Sequence, residues 1–175
     1  PFNRAVVTDA GMQLLSKAQA GEARIEFTRI ETGNGIYDEQ EKNTEGLRRL
    51  TKLKSSKNSF LLSGIHVRPE NSVKISALIT NFNSVTQEII ISDGYYINEV
   101  GLYAKEKDKA DSTEVLYSIA VTSGSEGDFI PAYNGFDPVE IIQDYYVTVS
   151  NSTEVTIQGG AGAPALADDL RAAER

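Results

Sequence analysis

The 175-residue chain is 40% apolar and 24% charged, the make-up of one ordinary globular domain with at most a short appendage. A formal net charge of −8, with no basic stripe beyond Arg48, Arg49, Lys52, Lys54 and Lys57, argues against a nucleic-acid partner; the absence of cysteine removes disulfide scaffolds, thiolate metal sites and cysteine nucleophiles. No apolar run approaches the roughly 18 residues of a membrane-spanning helix, so no membrane partner is expected, and nothing reads as a signal peptide.

The chain opens at Pro1 rather than Met, which predicts that a few leading residues are missing. Thr8 or Asp9 is suited to cap a helix over "AGMQLLSKAQAG", where Met12, Leu15 and Ala18 or Gln19 recur at helical spacing and Gly21 ends the run. The segment "ARIEFTRIETGNG" then changes to period two, with Ile25 and Phe27 on one face. Gly33-Asn34-Gly35 reads as a turn that requires positive φ. Residues 36–58 are polar and predict an irregular connection, mobile near 37–45, with one short helix around 47–53.

Beyond that point the pattern predicts strands. "SVKISALIT" puts Val73, Ile75, Ala77 and Ile79 on one side, and "QEIIIS", "GYYINEVGLYAKE" and "TEVLYSIAVTS" follow, each bounded by Gly, Asp, Asn or Ser. "PVEIIQDYYVTVS" holds Val139, Ile141, Tyr145, Val147 and Val149 at period two, and Asn151-Ser152 followed by Val155 and Ile157 predicts a terminal hairpin. These elements make an α+β domain over 1–158, a mainly antiparallel β-sheet with one N-terminal amphipathic helix packed on it. A Gly/Ala linker spans 159–164, and 165–175 reads as the start of a helical shaft or as a cloning-derived tail.

No catalytic constellation stands out. His66 is the one histidine, and without a nucleophile-elbow motif it reads as a surface residue near a strand end. "SGSEGDF" at 123–129 lacks the D-x-D-x-D-G spacing of a calcium loop, and "TGNG" lacks the lysine of a P-loop and the third glycine of a dinucleotide turn. Accordingly no catalytic residue, metal ligand or cofactor is assigned.

Glu99, in "DGYYINEVGLYAKE", is the one acid that demands an account. Tyr95, Ile97, Glu99, Gly101 and Tyr103 share one strand face, and Tyr96, Asn98, Val100, Leu102 and Ala104 share the other. Both faces are mostly apolar, so the strand is predicted to be covered on both sides. A carboxylate there costs several kcal/mol unless an arginine or backbone amides satisfy it. Arg4, Arg24 and Arg29 are the candidate partners, a subunit contact is the second reading, and a catalytic acid would need a second carboxylate across a cleft.

Three landmarks then fall in order. "FNRAVVTDAGMQLLSKAQAGEARIEFTRIETGNG" resembles the opening of phage tail-collar fibre proteins, "GYYINEVGLYAKE" with "VLYSIAVTS" resembles their middle signature, and "FIPAYNGFDPVEIIQDYYVTVSNSTEVTIQ" is similar to their closing portion. The resemblance covers roughly residues 2–158; it departs from the family at Gly-Asn-Gly, where an acidic middle residue is expected, and at the longer stretch 82–92. It implies a non-enzymatic virion component: the N-terminal domain of a tail fibre from a phage, prophage or tailocin-like particle, assembled in the bacterial cytoplasm. Its implied partners are baseplate proteins and two further copies of itself in a homotrimer. The loop "DFIPAYNGF" is the expected contact surface, through Phe129, Ile130, Tyr133 and Phe136, with Glu99 a further interface candidate. The same loop residues are equally suited to fold back on the domain's own core. A glycan-binding receptor-recognition module and, further off, a glycoside hydrolase are the alternative functions.

Overall fold

The structure, a computed structural model, describes residues 2–69, 71–149 and 155–158. The linker 159–164, the shaft expected at 165–175 and the turn at Asn151-Ser152 lie outside the described residues. The first half of the chain forms β1 (Val6–Val7), α1 (Asp9–Gln19), β2 (Ile25–Gly33), α2 (Thr44–Arg48), β3 (Ser56–Arg68) and β4 (Ser72–Thr80). The second half forms β5 (Phe82–Asn83), β6 (Glu88–Ile89), β7 (Tyr95–Ile97), β8 (Glu99–Glu106), β9 (Val115–Val121), β10 (Asp128–Ile130), β11 (Glu140–Thr148) and β12 (Val155–Ile157). It is an α+β domain in which antiparallel sheet dominates.

The main sheet runs β1-β9-β8-β2-β3-β4-β11, and β12 joins it on β2. Register shifts at Phe27/Arg29, Thr32/Gly33, Leu62/Gly64 and Leu102/Tyr103 mark β-bulges, which bend strands and increase local twist. The sheet therefore rolls up until β11 faces β9. There the Tyr145 and Ser118 hydroxyls meet at 2.8 Å, and the Tyr117 hydroxyl donates to the Thr148 carbonyl at 3.2 Å. Phe27, Ile30, Leu102 and Tyr117 from one half of the roll meet Val73, Ile75, Tyr145 and Val147 from the other in one core. The expected inward row Val73, Ile75, Ala77 and Ile79 is fully enclosed.

α1 is capped by Thr8, whose side chain accepts the Gly11 N–H at 3.0 Å, and Gly21 follows with φ of +76°. Its buried face is Gly11, Leu14, Leu15 and Ala18, while Met12, expected inside, is 47% exposed. The close approach of Gly11 sets this register, since a Cβ there would strike the Tyr117 carbonyl of β9. α2 also starts earlier than the sequence predicts, because Asn43 caps it by accepting the Gly46 N–H at 2.6 Å.

Three strand expectations change. "QEIIIS" contributes only the two-residue β6, because the Ile90 and Ile91 amides turn away to the Asn81 carbonyl. The stretch 93–106 breaks at Asn98: β7 pairs with β10, whereas β8 pairs with β2 and β9. In place of the predicted terminal hairpin, β12 among the described residues pairs parallel with β2, with Val155 opposite Ile25 and Ile157 opposite Phe27. β3 pairs with β2 only from Arg29 onward, so that stretch of edge is open and the apolar side of β12 fills it.

Candidate functional site: the Glu99 junction and the 127–139 loop

Residues 34–55 form a strap over the outer face of β8 and β9. Tyr37, Leu47 and Leu53 from the strap pack on Tyr103, Leu116, Ile119 and Val121, a second apolar cluster outside the roll. Tyr37, in the section predicted to be mobile, is thus buried. Glu99 sits at the end of this cluster and is 0% exposed. Its Oε2 accepts the N–H groups of Gly35 and Ser55, each at 2.8 Å. Its Oε1 accepts the Lys54 N–H at 2.8 Å and the Tyr37 hydroxyl at 2.5 Å. Both ends of the strap therefore converge on one carboxylate.

These four donors are backbone amides and a phenol, where an arginine was expected. Arg29, one of the three expected partners, instead binds Glu114 at 2.7 Å and Glu31 at 3.1 Å, and stacks 3.8 Å over the Tyr103 ring. Burial, then the hydrogen bond to Glu99, pushes the Tyr37 phenol far above the usual tyrosine range, so it remains a donor. Lys54 shields the assembly, with Nζ 2.6 Å from Glu41 Oε2 and 4.5 Å from the Tyr37 ring centroid.

The glycines of "TGNG" and "EVGLY" acquire a different meaning here. Among the described residues the positive-φ glycines are Gly21 and Gly135, so Gly33 and Gly35 are not there for a left-handed turn. They are there for space: a Cβ on either would lie 2.5 Å from Glu99 Oε2. Gly33 is the residue directly opposite Glu99 in the β2–β8 ladder. Gly101 works likewise, since a Cβ there would meet Leu116 Cδ1 at 2.8 Å and Leu53 Cδ2 at 3.1 Å. Along the outer face of β8, Glu99 ties the strap, Gly101 admits Leu53, and the Tyr103 hydroxyl donates to Glu31 at 2.7 Å.

Asn98, the residue before Glu99, links the start of the strap to a second segment, the 127–139 loop. Its Oδ1 accepts the Gly127 N–H at 2.7 Å, and its Nδ2 donates to the Asn34 carbonyl at 3.1 Å. Asn81 holds the far end of the same loop: its Nδ2 donates to the Pro131 carbonyl at 3.1 Å and its Oδ1 accepts the Val139 N–H at 2.9 Å. Sequence reasoning missed Asn98, Asn81 and Tyr37 because an asparagine or tyrosine that caps distant backbone leaves no periodic signal.

Between these two clamps the loop divides its apolar residues. Ile130 is 0% exposed in the main core, and Tyr133 stacks on Phe82 with centroids 4.1 Å apart. Phe129 and Phe136 are 51% and 83% exposed, the former edge-on to Tyr96 at 5.0 Å. Of the expected interface residues, Glu99 and Ile130 are enclosed by the chain itself. Phe129 and Phe136 remain outside. His66 is exposed near the end of β3, and among the described residues no cluster of His, Cys, Asp and Glu is arranged to hold a metal ion. No helix of the described residues is long and apolar enough to cross a membrane. The chain matches no family model, no curated protein and no solved structure.

Proposed function

We propose that the chain is the attachment domain of a tail fibre, a structural part that fastens the fibre to the baseplate of a contractile tail. It works by association, as a homotrimer, in the tail of a phage, prophage or tailocin-like particle assembled in the bacterial cytoplasm. What supports the reading is the three-part sequence resemblance, and above all its middle landmark. "NEVGLY" has a mechanical reason in this fold: Asn98, Glu99, Gly101 and Tyr103 bind the strap, the loop and the sheet to one strand. A part that transmits load between a baseplate and a fibre benefits from such a joint, and within the 127–139 loop Phe129 and Phe136 are large apolar side chains left exposed for contact.

The test is co-purification of the tagged chain with the baseplate proteins encoded beside it, with sedimentation of the chain before and after removal of 159–175. Retention of a baseplate protein and a trimer supports the reading. A genomic neighbourhood without baseplate or sheath genes, or failure to bind any of their products, overturns it. The exposed Tyr96–Phe129 pair favours a second reading, a saccharide-binding module of the same tail. A saccharide array bound by the chain and not by its Tyr96→Ala variant would shift the function to that module.

A further inference from the structure

β11 is an end strand of the main sheet and, among the described residues, pairs only with β4. Just outside it, the Val139 carbonyl accepts the Asn81 N–H and the Val149 N–H donates to the Asn71 carbonyl, so both face the β4 side. Antiparallel ladders bond through alternate residues. The odd residues of β11 thus turn their backbone groups to β4, and Ile142, Asp144 and Tyr146 turn theirs to the free edge. Two contacts agree, since the Asp144 and Thr148 carbonyls accept from side chains off the ladder, Gln143 and Tyr117. The edge is nine residues long and has no proline, lysine, arginine or bulge; its only charges are the acids Glu140 and Asp144.

A cleft of about 310 Å³ runs beside this edge, with residues 143–146 on one bank and 2–5 on the other. Its floor includes Val100 and Ala120, both buried. It is the seam of the roll, left open because β1 is only two residues long. Arg4 is the cation among its lining residues, and Asp144 faces the same space while accepting the Ser76 hydroxyl at 2.8 Å.

Charge indicates what fits. Residues 137–149 carry Asp137, Glu140 and Asp144 and no lysine or arginine, on a chain with net charge −8. A second copy would set these acids against themselves, which disfavours self-pairing. Glu140 and Asp144 lie on one outer face of β11 with Ile142 and Tyr146, which are 72% and 50% exposed. We propose that the free edge of β11 docks an extended segment of a partner protein as an added strand. That segment carries Lys or Arg opposite Glu140 and Asp144, apolar side chains opposite Ile142 and Tyr146, and small apolar residues toward the seam. This inference does not rest on the tail-fibre reading, and its test needs only the chain itself.

The probe is an end-capped eight-residue peptide with lysine at its first and fifth positions and valine or threonine elsewhere. Hydrogen exchange resolved by NMR is expected to show new protection at the Ile142, Asp144 and Tyr146 amides, with Ile141, Gln143 and Tyr145 unchanged. A glutamate-for-lysine peptide should bind roughly tenfold more weakly, and the Glu140→Lys/Asp144→Lys chain should reverse that preference. Should that variant misfold, Asp144→Pro removes a free-edge N–H without touching the β4 ladder and should abolish binding. Protection absent from those three amides, or protection that grows with the concentration of the protein alone, overturns the proposal; the second result would make another copy the occupant.

Discussion

At the scale of the residue, Glu99 is a carboxylate taken out of water and given four donors in exchange: three backbone amides and a phenol. Amides held on a strap cannot turn away, so the site tolerates only acceptors. Glu99→Gln tests this, because a carboxamide must point its NH₂ at one pair of donors whichever way it is turned. The expected loss is about 3 kcal/mol, seen as a lower urea midpoint at unchanged slope. An undiminished midpoint would mean that the four bonds contribute nothing net. Gly35 of the strap offers a steric counterpart, with Gly124 as its control. Gly35→Ala would push its methyl against Glu99 Oε2 and Lys54 Cβ, at 2.5 and 2.7 Å, whereas a Cβ on Gly124 meets nothing within 4 Å. The first variant should lose roughly 2 kcal/mol or more, and the second should stay within about 0.5 kcal/mol of the parent.

At the scale of the element, polar side chains clamp the strap and both ends of the loop, in addition to the β10–β7 pairing and the apolar contacts of the strap. Asn98→Ala releases the Gly127 amide and the Asn34 carbonyl together, so hydrogen exchange should accelerate locally at 124–128 and 33–36 while β3 and β4 keep their protection. Acceleration across the whole sheet would instead mean that Asn98 supports global stability. What the sequence discloses divides along the same line. α1 was legible because a cap and a period are local, and β4 because alternation is local. The inner register of α1 was not, since it turns on Gly11 meeting a carbonyl more than a hundred residues away. The break at Asn98 is hidden because period two runs straight through it, and β12 was misassigned because a hairpin is the local inference whereas its partner is β2. The burial of Glu99 was readable from its neighbours, but backbone donors have no residue type, so an arginine was the visible choice. Gly33 and Gly35 are the one available clue, and in sequence a Gly-Asn-Gly run speaks of turn geometry instead of room.

At the scale of the whole molecule, rolling one sheet onto itself encloses tyrosines on both of its faces. Burial raises the phenols of Tyr37, Tyr95, Tyr103, Tyr117 and Tyr145 above the ordinary tyrosine value, with hydrogen bonds to Glu99 and Glu31 adding to the effect at Tyr37 and Tyr103. A phenol whose folded value exceeds its unfolded one, about 10, contributes its full stabilisation below that pH. Above it, the unfolded chain gives up protons that the folded chain still holds, so stability falls as pH rises toward the folded values. For Tyr117 and Tyr145, the two least exposed of the five, this amounts to about 1.4 kcal/mol per pH unit each. The chain should therefore hold a nearly constant urea midpoint up to about pH 9 and lose it steeply above about pH 10. In a chain whose less enclosed tyrosines, Tyr96, Tyr133 and Tyr146, are replaced by phenylalanine, phenolate absorbance should appear together with loss of the fold rather than ahead of it. Tyr145→Phe, which removes one titrating group and the hydrogen bond to Ser118, should lower the midpoint at neutral pH but flatten its alkaline decline. Phenolate from Tyr117 or Tyr145, assigned by the corresponding Tyr→Phe variants, that forms while the sheet is still intact would show that the roll opens to hydroxide without unfolding.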